Sequence, residues 1–170
     1  LEIYVSEKAL ELEPAIKKLN PSIIEEDEIK KAAGLSNNME GIAVVQQTDF
    51  TDLSFEKSVL YLDGVSDPGN LGTIIRTADW FGIQHVVCSP NCVDFYNPKT
   101  IQSTMGSFAN VVPQILSVEE FMSLKPQEMP VFLAELNGEH PTTLSGHSAG
   151  VLVMGSESHG VSKDWKTFNY

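Results

Sequence analysis

Arginine is almost missing from this chain: of 11 basic residues among 170, only Arg76 is one. Positive charge is scarce altogether, and 23 acidic residues leave a formal net charge of -12. That balance excludes indiscriminate polyanion binding, because affinity for phosphate backbones comes largely from Lys and Arg releasing counterions. The deficit is spread along the chain, with 5 lysines against 12 acids over residues 1–56 and 6 basic against 11 acidic groups over residues 57–170. Any contact with nucleic acid must therefore be local and led by shape, or use residues outside this chain. Cysteine is equally sparse. Cys88 and Cys92 have His85 nearby but no fourth ligand, which argues against zinc and for free structural thiols in a reducing compartment. There is no apolar run of membrane-spanning length and no basic leader with an apolar stretch and cleavage site, so the expectation is a soluble, cytoplasmic protein with no membrane partner and no metal. Both the Gly-x-x-x-x-Gly-Lys-[Ser/Thr] and the Gly-x-Gly-x-x-Gly patterns are absent, which removes support for nucleotide hydrolysis and dinucleotide binding.

What is present reads as two units. The first 45 residues alternate strand, helix, strand, helix, strand. Ile3, Tyr4 and Val5 precede a Ser6 cap, Pro14 interrupts a helical stretch reaching Leu19, and Ile23 and Ile24 form a short strand. Asp27 then opens a helix stopped by Gly34, and residues 41–45 form the third strand. The polar stretch 48–56 carries the boundary, giving units of residues 1–54 and 55–170. In the second unit apolar runs recur at 59–62, 86–88, 131–136 and 151–154, separated by helix-length segments, as expected of parallel strands buried on both faces. The spacing predicts a helix over 72–81 with Ile74, Ile75, Ala78 and Phe81 on its core stripe, and a capping box at Ser117 and Glu120 opens another through Leu124. The expected fold class is α/β: an open, mostly parallel sheet with helices on both faces, preceded by a small partial α/β domain. The chain starts at Leu1 inside a strand and stops at Tyr170 just after a helix start, so both ends are expected to be cut.

Two loops can carry chemistry. Residues 64–72 hold three glycines, a proline and Asn70 between an apolar strand and a helix, where backbone amides face a ligand and where the lone planar guanidinium of Arg76 follows. Asn70 serves there as a helix cap, as a group that orients a substrate hydroxyl or holds Arg76, or as both. Residues 155–162 follow the last apolar strand and lead to a helix capped by Ser162. Glu157, between Gly155 and Gly160, is either a partner for Arg76 or a solvated acid. His159 is a candidate general base or simply an exposed loop histidine. His85, His140 and His147 are scattered and carry no assigned role.

The run Asp67-Pro68-Gly69-Asn70-Leu71-Gly72-Thr73-Ile74-Ile75-Arg76-Thr77-Ala78-Asp79-Trp80-Phe81-Gly82 resembles the first motif of the SpoU (TrmH) branch of the SPOUT RNA methyltransferases. Met154-Gly155-Ser156-Glu157-Ser158-His159-Gly160-Val161-Ser162 is similar to their second motif. Between them, residues 99–106 resemble the stretch that carries a serine and a glycine, here Ser103 and Gly106. Residues 1–50 resemble the later part of the ribosomal-protein-like RNA-binding domain that often precedes the catalytic one. The resemblance implies S-adenosylmethionine-dependent methylation of a ribose 2′-hydroxyl in ribosomal or transfer RNA by a homodimer, with a trefoil knot in the complete chain. It implies catalytic roles for Asn70, Arg76 and Glu157, and contact of Ala134, Glu135, Gly155 and Gly160 with S-adenosylmethionine. Arg76 is expected to act as an electrostatic clamp, because a guanidinium does not give up its proton, with Glu157 fixing it and Asn70 orienting the hydroxyl. The family's third motif, a Ser-Leu-Asn segment, does not occur before Tyr170, so the expectation is a fragment that neither closes the knot nor binds the cofactor well. A non-enzymatic RNA-binding or ribosome-assembly factor on the same fold is the alternative, and a small-molecule enzyme using the same crevice is a second one.

Overall fold

The computed structural model describes residues 1–34, 37–47, 53–140, 142, 146 and 148–168; His147 and part of the expected boundary, residues 48–52, lie outside that set. The chain divides into two compact units, Leu1–Asp49 and Phe50–Tyr170.

In the first unit β1 (Glu2–Val5) lies between β2 (Ser22–Ile23), parallel to it, and β3 (Gly41–Val44), antiparallel. Helix α1 (Glu7–Leu12) starts where Ser6 Oγ accepts the Ala9 amide at 3.2 Å. Pro14 does more than interrupt it: Pro14–Leu19 is a separate 3-10 helix, entered through a proline whose missing N–H costs nothing at a first turn. Helix α2 (Glu26–Ala33) begins earlier than Asp27, because Glu25 and Glu28 form a reciprocal capping box.

The second unit holds a five-stranded sheet: β4 (Val59–Asp63), β5 (His85–Cys88), β6 (Gln114–Ile115), β7 (Val131–Ala134) and β8 (Val151–Gly155). Their order is β6-β5-β4-β8-β7 and every pairing is parallel. Central β4 is buried along its whole length, and its side chains alternate between two cores. Val59 and Tyr61 join Val87, Phe121, Val151 and Trp165 on one face. Leu60 and Leu62 join Leu71, Ile75, Ala78 and Val86 on the other. On the first face Tyr61 and Trp165 meet edge-on with ring centroids 4.8 Å apart, and Tyr61 Oη donates to the Leu116 carbonyl at 2.8 Å. Helix α5 (Val118–Leu124) covers that face, opened by the expected capping box. Helix α3 (Pro68–Trp80) covers the other, packed beside α4 (Pro98–Thr104). The expected sheet with helices on both faces is what the chain forms.

Three local expectations are revised. Helix α3 starts at Pro68 and not Gly72, because Asp67 is the cap: its Oδ1 accepts the Asn70 amide at 2.8 Å, with proline at the first helical position. Phe81 leaves the core stripe and is 73% exposed, since the helix ends there. The segment after Ser162 is a 3-10 helix, Lys163–Thr167, with no hydrogen bond from the Ser162 side chain.

Candidate active site

The site is decided by where the outgoing chains leave adjacent strands. Asp63 at the end of β4 pairs with Gly155 at the end of β8. From β4 the chain runs to α3 on one face, while from β8 it runs to the 3-10 helix whose Trp165 lies in the opposite core. Divergence of neighbouring connections to opposite faces opens a crevice at the carboxyl ends of parallel strands, where ligands bind in open α/β sheets.

Two side-chain contacts tie its walls together. Buried Asp63 accepts the Ser162 amide on Oδ2 at 2.7 Å, anchoring the exit of the second loop under the first. Asn70 Nδ2 donates to Glu157 Oε2 at 3.3 Å, bridging the first turn of α3 to the turn of the loop. The second contact is exposed and adds little stability. Its consequence is positional, since it fixes a carboxylate and an amide from segments 87 positions apart at one point. Sequence reasoning did not single out Asp63, although an acid closing an otherwise apolar strand was the available signal.

Glycines set the closeness of approach. A Cβ on Gly72 would stand 2.5 Å from both Ser103 Cβ and the Thr100 carbonyl oxygen, so α3 and α4 touch here only because the side chain is absent. This places Gly72 on the packed side of α3, although its four-residue spacing from Arg76 would put the two on one face. At Gly155 a Cβ would run into the Gly160 carbonyl and the Val161 amide. The loop folds back at that point through paired hydrogen bonds between Ser156 and Gly160, at 3.1 and 2.9 Å.

The expected pairing of Glu157 with Arg76 is not made; Glu157 meets Asn70 instead. Arg76 lies six residues beyond Asn70, about 9 Å along the axis and roughly 120° around it, so one carboxylate at the first turn does not reach both. The Arg76 side chain is exposed and has no hydrogen bond or ion pair with any described residue. At the start of α3, the Asn70 amide holds the Asp67 carboxyl below its ordinary value; desolvation opposes this, and Lys99 reinforces it from 3.7 Å.

Ala134 and Glu135 stand exposed at the end of β7, next to β8 through the Ala134 and Met154 pairing. Lys166 lies 3.6 Å from Glu135. His159 is exposed and its Nδ1 is 2.7 Å from Ser158 Oγ. Cys88 and Cys92 are free thiols. A hydrogen bond from Cys88 is the main influence pulling the Cys92 thiol down to about 6; burial opposes it, and Ser89 and the Val65 and Gly64 amides add to it. Cys88 is pushed up by the same bond and by burial. In its neutral form Cys92 donates to the Leu62 carbonyl at 3.3 Å. Among the described residues no cluster of three metal-ligating side chains occurs, and no helix is long and apolar enough to cross a membrane.

This crevice, bridged by an amide and a carboxylate, defines an α/β protein with a candidate ligand site at the switch point of its sheet. Residues 57–168 match the SpoU rRNA Methylase family. The chain belongs to that family. It is 34% identical over 122 residues to the 23S rRNA (guanosine(2553)-2'-O)-methyltransferase RlmP of Bacillus subtilis (strain 168), covering 71% of this chain and 49% of that protein. A relative from Archaeoglobus fulgidus, named an uncharacterized tRNA/rRNA methyltransferase, is 32% identical over 112 residues, which cover 64% of this chain and 49% of the relative. The chain thus spans about half the length of these relatives. In fold it is similar to the AdoMet-bound rRNA methyltransferase from Sinorhizobium meliloti, with a TM-score of 0.77, 24% identity, and 98% of this chain and 67% of that one covered. The SpoU methyltransferase AviRb from Streptomyces viridochromogenes gives a TM-score of 0.74 at 21% identity, covering 98% and 68%.

Proposed function

We propose that the second unit carries the catalytic face of an S-adenosylmethionine-dependent RNA 2′-O-ribose methyltransferase, acting on ribosomal or transfer RNA as a homodimer in the cytoplasm. The observation that carries this reading is the bridge from Asn70 to Glu157 across the adjacent ends of β4 and β8, with Arg76 further along the same helix. Family membership and the names of the relatives support the reaction class. The first unit, residues 1–54 in this reading, holds the RNA substrate.

The strand ends fit the cofactor chemically. Ala134 offers a small exposed wall and Glu135 a carboxylate, while Gly155 packs directly on the main chain of Gly160, whose own side is open, so main-chain groups meet a ligand there. When bound there, S-adenosylmethionine supplies an electrophilic methyl group. The chain's own residues do the rest. Arg76 neutralises an RNA phosphate and the alkoxide charge that grows on the ribose oxygen; its pKa excludes it as the base. Asn70, held by Glu157, presents its amide to the hydroxyl and fixes the line of attack, and the hydroxyl proton is released to water as the new bond forms.

Arg76→Lys tests the assignment, since it keeps the charge and removes the planar fork. We expect turnover to fall by about a hundredfold or more, as when one preorganised donor is lost, with RNA affinity changing far less. Near-normal turnover would refute the need for a guanidinium. Calorimetry with S-adenosylmethionine on the complete protein separates the enzyme from a non-enzymatic RNA-binding factor, which gives no heat of cofactor binding.

A further inference from the structure

Helix α3 presents one side chain that its packing does not explain. Trp80 is 86% exposed at the last position of the helix, whereas Ala78, two residues earlier and about 200° around it, is buried in the core. At 100° per residue Trp80 falls within about 20° of Thr73 and about 40° of Arg76, and the next residue, Phe81, leaves that line by a further 100°. Thr73 and Thr77 line the same surface with their hydroxyls turned back to the Gly69 and Thr73 carbonyls, both at 2.8 Å, so their methyl groups and not their donors face outward. The exposed stripe therefore runs from Thr73 past a cation to a flat aromatic surface, with Asn70 about 80° to one side at the start of the helix.

The charges around it are arranged for an anion. The carboxylates at either end of α3 are engaged elsewhere: Asp67 with the Asn70 amide and Lys99, Asp79 with the Asn110 side-chain amide at 3.2 and 3.3 Å. Arg76 has no carboxylate partner among the described residues, in a chain of net charge -12. An aromatic face one helical turn, about 6 Å, from an uncompensated guanidinium matches a nucleotide, whose base stacks while its phosphate pairs with the cation. Single-stranded RNA is recognised in this way, through unstacked bases laid on aromatic side chains.

We propose that Trp80 is a base-stacking platform for a nucleotide flanking the methylated one, and so a positioning and specificity residue of the RNA site. This rests on the reading of α3 as part of an RNA methyltransferase face. It explains how a strongly acidic chain grips RNA without a basic surface: a stacking contact is not screened by like charge, and one cation per nucleotide suffices.

The two tryptophans make the test direct, because Trp80 is exposed while Trp165 is fully buried. Iodide quenches the Trp80 emission alone, and a short single-stranded RNA of mixed sequence is expected to quench that emission and shield it from iodide. Trp80→Ala is expected to weaken binding of the same RNA about 5- to 150-fold, the range of one base–aromatic stack. Trp80→Tyr is expected to restore most of the affinity and Trp80→Leu little of it, a split that bulk alone does not produce. In turnover the loss falls on KM for RNA and not on kcat, with the heat of S-adenosylmethionine binding unchanged. If Trp80→Ala binds the RNA as the parent does, the inference fails and the methyltransferase reading stands. A parent chain that binds no RNA overturns both. Protection of Trp80 from iodide that grows with protein concentration in the absence of RNA would show that a second copy of the chain covers this face and would overturn the proposal.

Discussion

Replacing Gly72 by alanine tests whether the closeness of α3 to α4 is what sets the crevice. Helix propensity alone favours the substitution by about 1 kcal/mol, because glycine in a helix interior is entropically costly. Packing opposes it. The new methyl would stand 2.5 Å from Ser103 Cβ and 2.5 Å from the Thr100 carbonyl oxygen, and the second of these belongs to helical backbone that no rotamer change can move. Forcing a methyl into a packed site costs about 1–3 kcal/mol, and two such contacts place Gly72 at the upper end. The net expectation is a loss of about 2 kcal/mol. Urea unfolding followed by tryptophan emission reports on the second unit, which contains both Trp80 and Trp165. With a slope of about 1–2 kcal/mol/M the midpoint drops by about 1–2 M. Ser103→Gly removes one of the two obstacles but also a hydrogen bond of 2.6 Å from its hydroxyl to the Lys99 carbonyl, so alone it destabilises. Combined with Gly72→Ala it costs less than the sum of the two, by at least about 0.5 kcal/mol, because the contact it relieves exists only in the presence of the new methyl. A neutral or stabilising Gly72→Ala, or strict additivity in the double variant, would refute the reasoning.

Gly155→Ala is expected to be more severe, because the methyl would meet the main chain of Gly160 and Val161 and cannot be relieved without opening the turn. Loss of S-adenosylmethionine binding, measured by calorimetry, should exceed any change in the unfolding midpoint; an alanine variant with unaltered cofactor affinity would remove the turn from the site. The thiols give a pH prediction. Cys92, lowered to about 6 from a free-thiol value of 9.0, is largely ionised at neutral pH and alkylates there, slowing as the pH falls through 6, whereas buried Cys88 stays unreactive. Peptide mapping after iodoacetamide treatment across pH 5–9 checks it, and a Cys92 rate still rising toward pH 9 would contradict the assignment.

Much of the fold was legible because it rests on local physics. Four of the five strands of the second unit are runs of apolar residues, and the Ser117 box marks the start of α5 by itself. The two loops that meet at the crevice were readable as glycine-bearing segments after apolar strands. What local pattern misjudged is also instructive. Asp67, not Asn70, caps α3, because a cap is settled by which side chain reaches a free amide, and both residues have the chemistry to do so. Strand β6 has two residues, too few for a period, and exists only because β5 offers it an edge. Phe81 carries the apolar character of a core residue and none of the burial, since the helix ends before the stripe returns to the sheet.

The sequence by itself determined which residues could take part in chemistry: one guanidinium, one amide and one carboxylate, each beside glycines that let the backbone come close. Only the tertiary structure decided their partners. Strand order sets β8 against β4 and so brings Glu157 to Asn70 and not to Arg76, across a separation in sequence that no periodicity encodes. The physical reason is that hydrophobic patterning specifies which face of a strand is buried but is the same for every neighbour that strand might choose. The choice is made by the summed packing of both faces, and the freedom of Arg76 is a consequence of it.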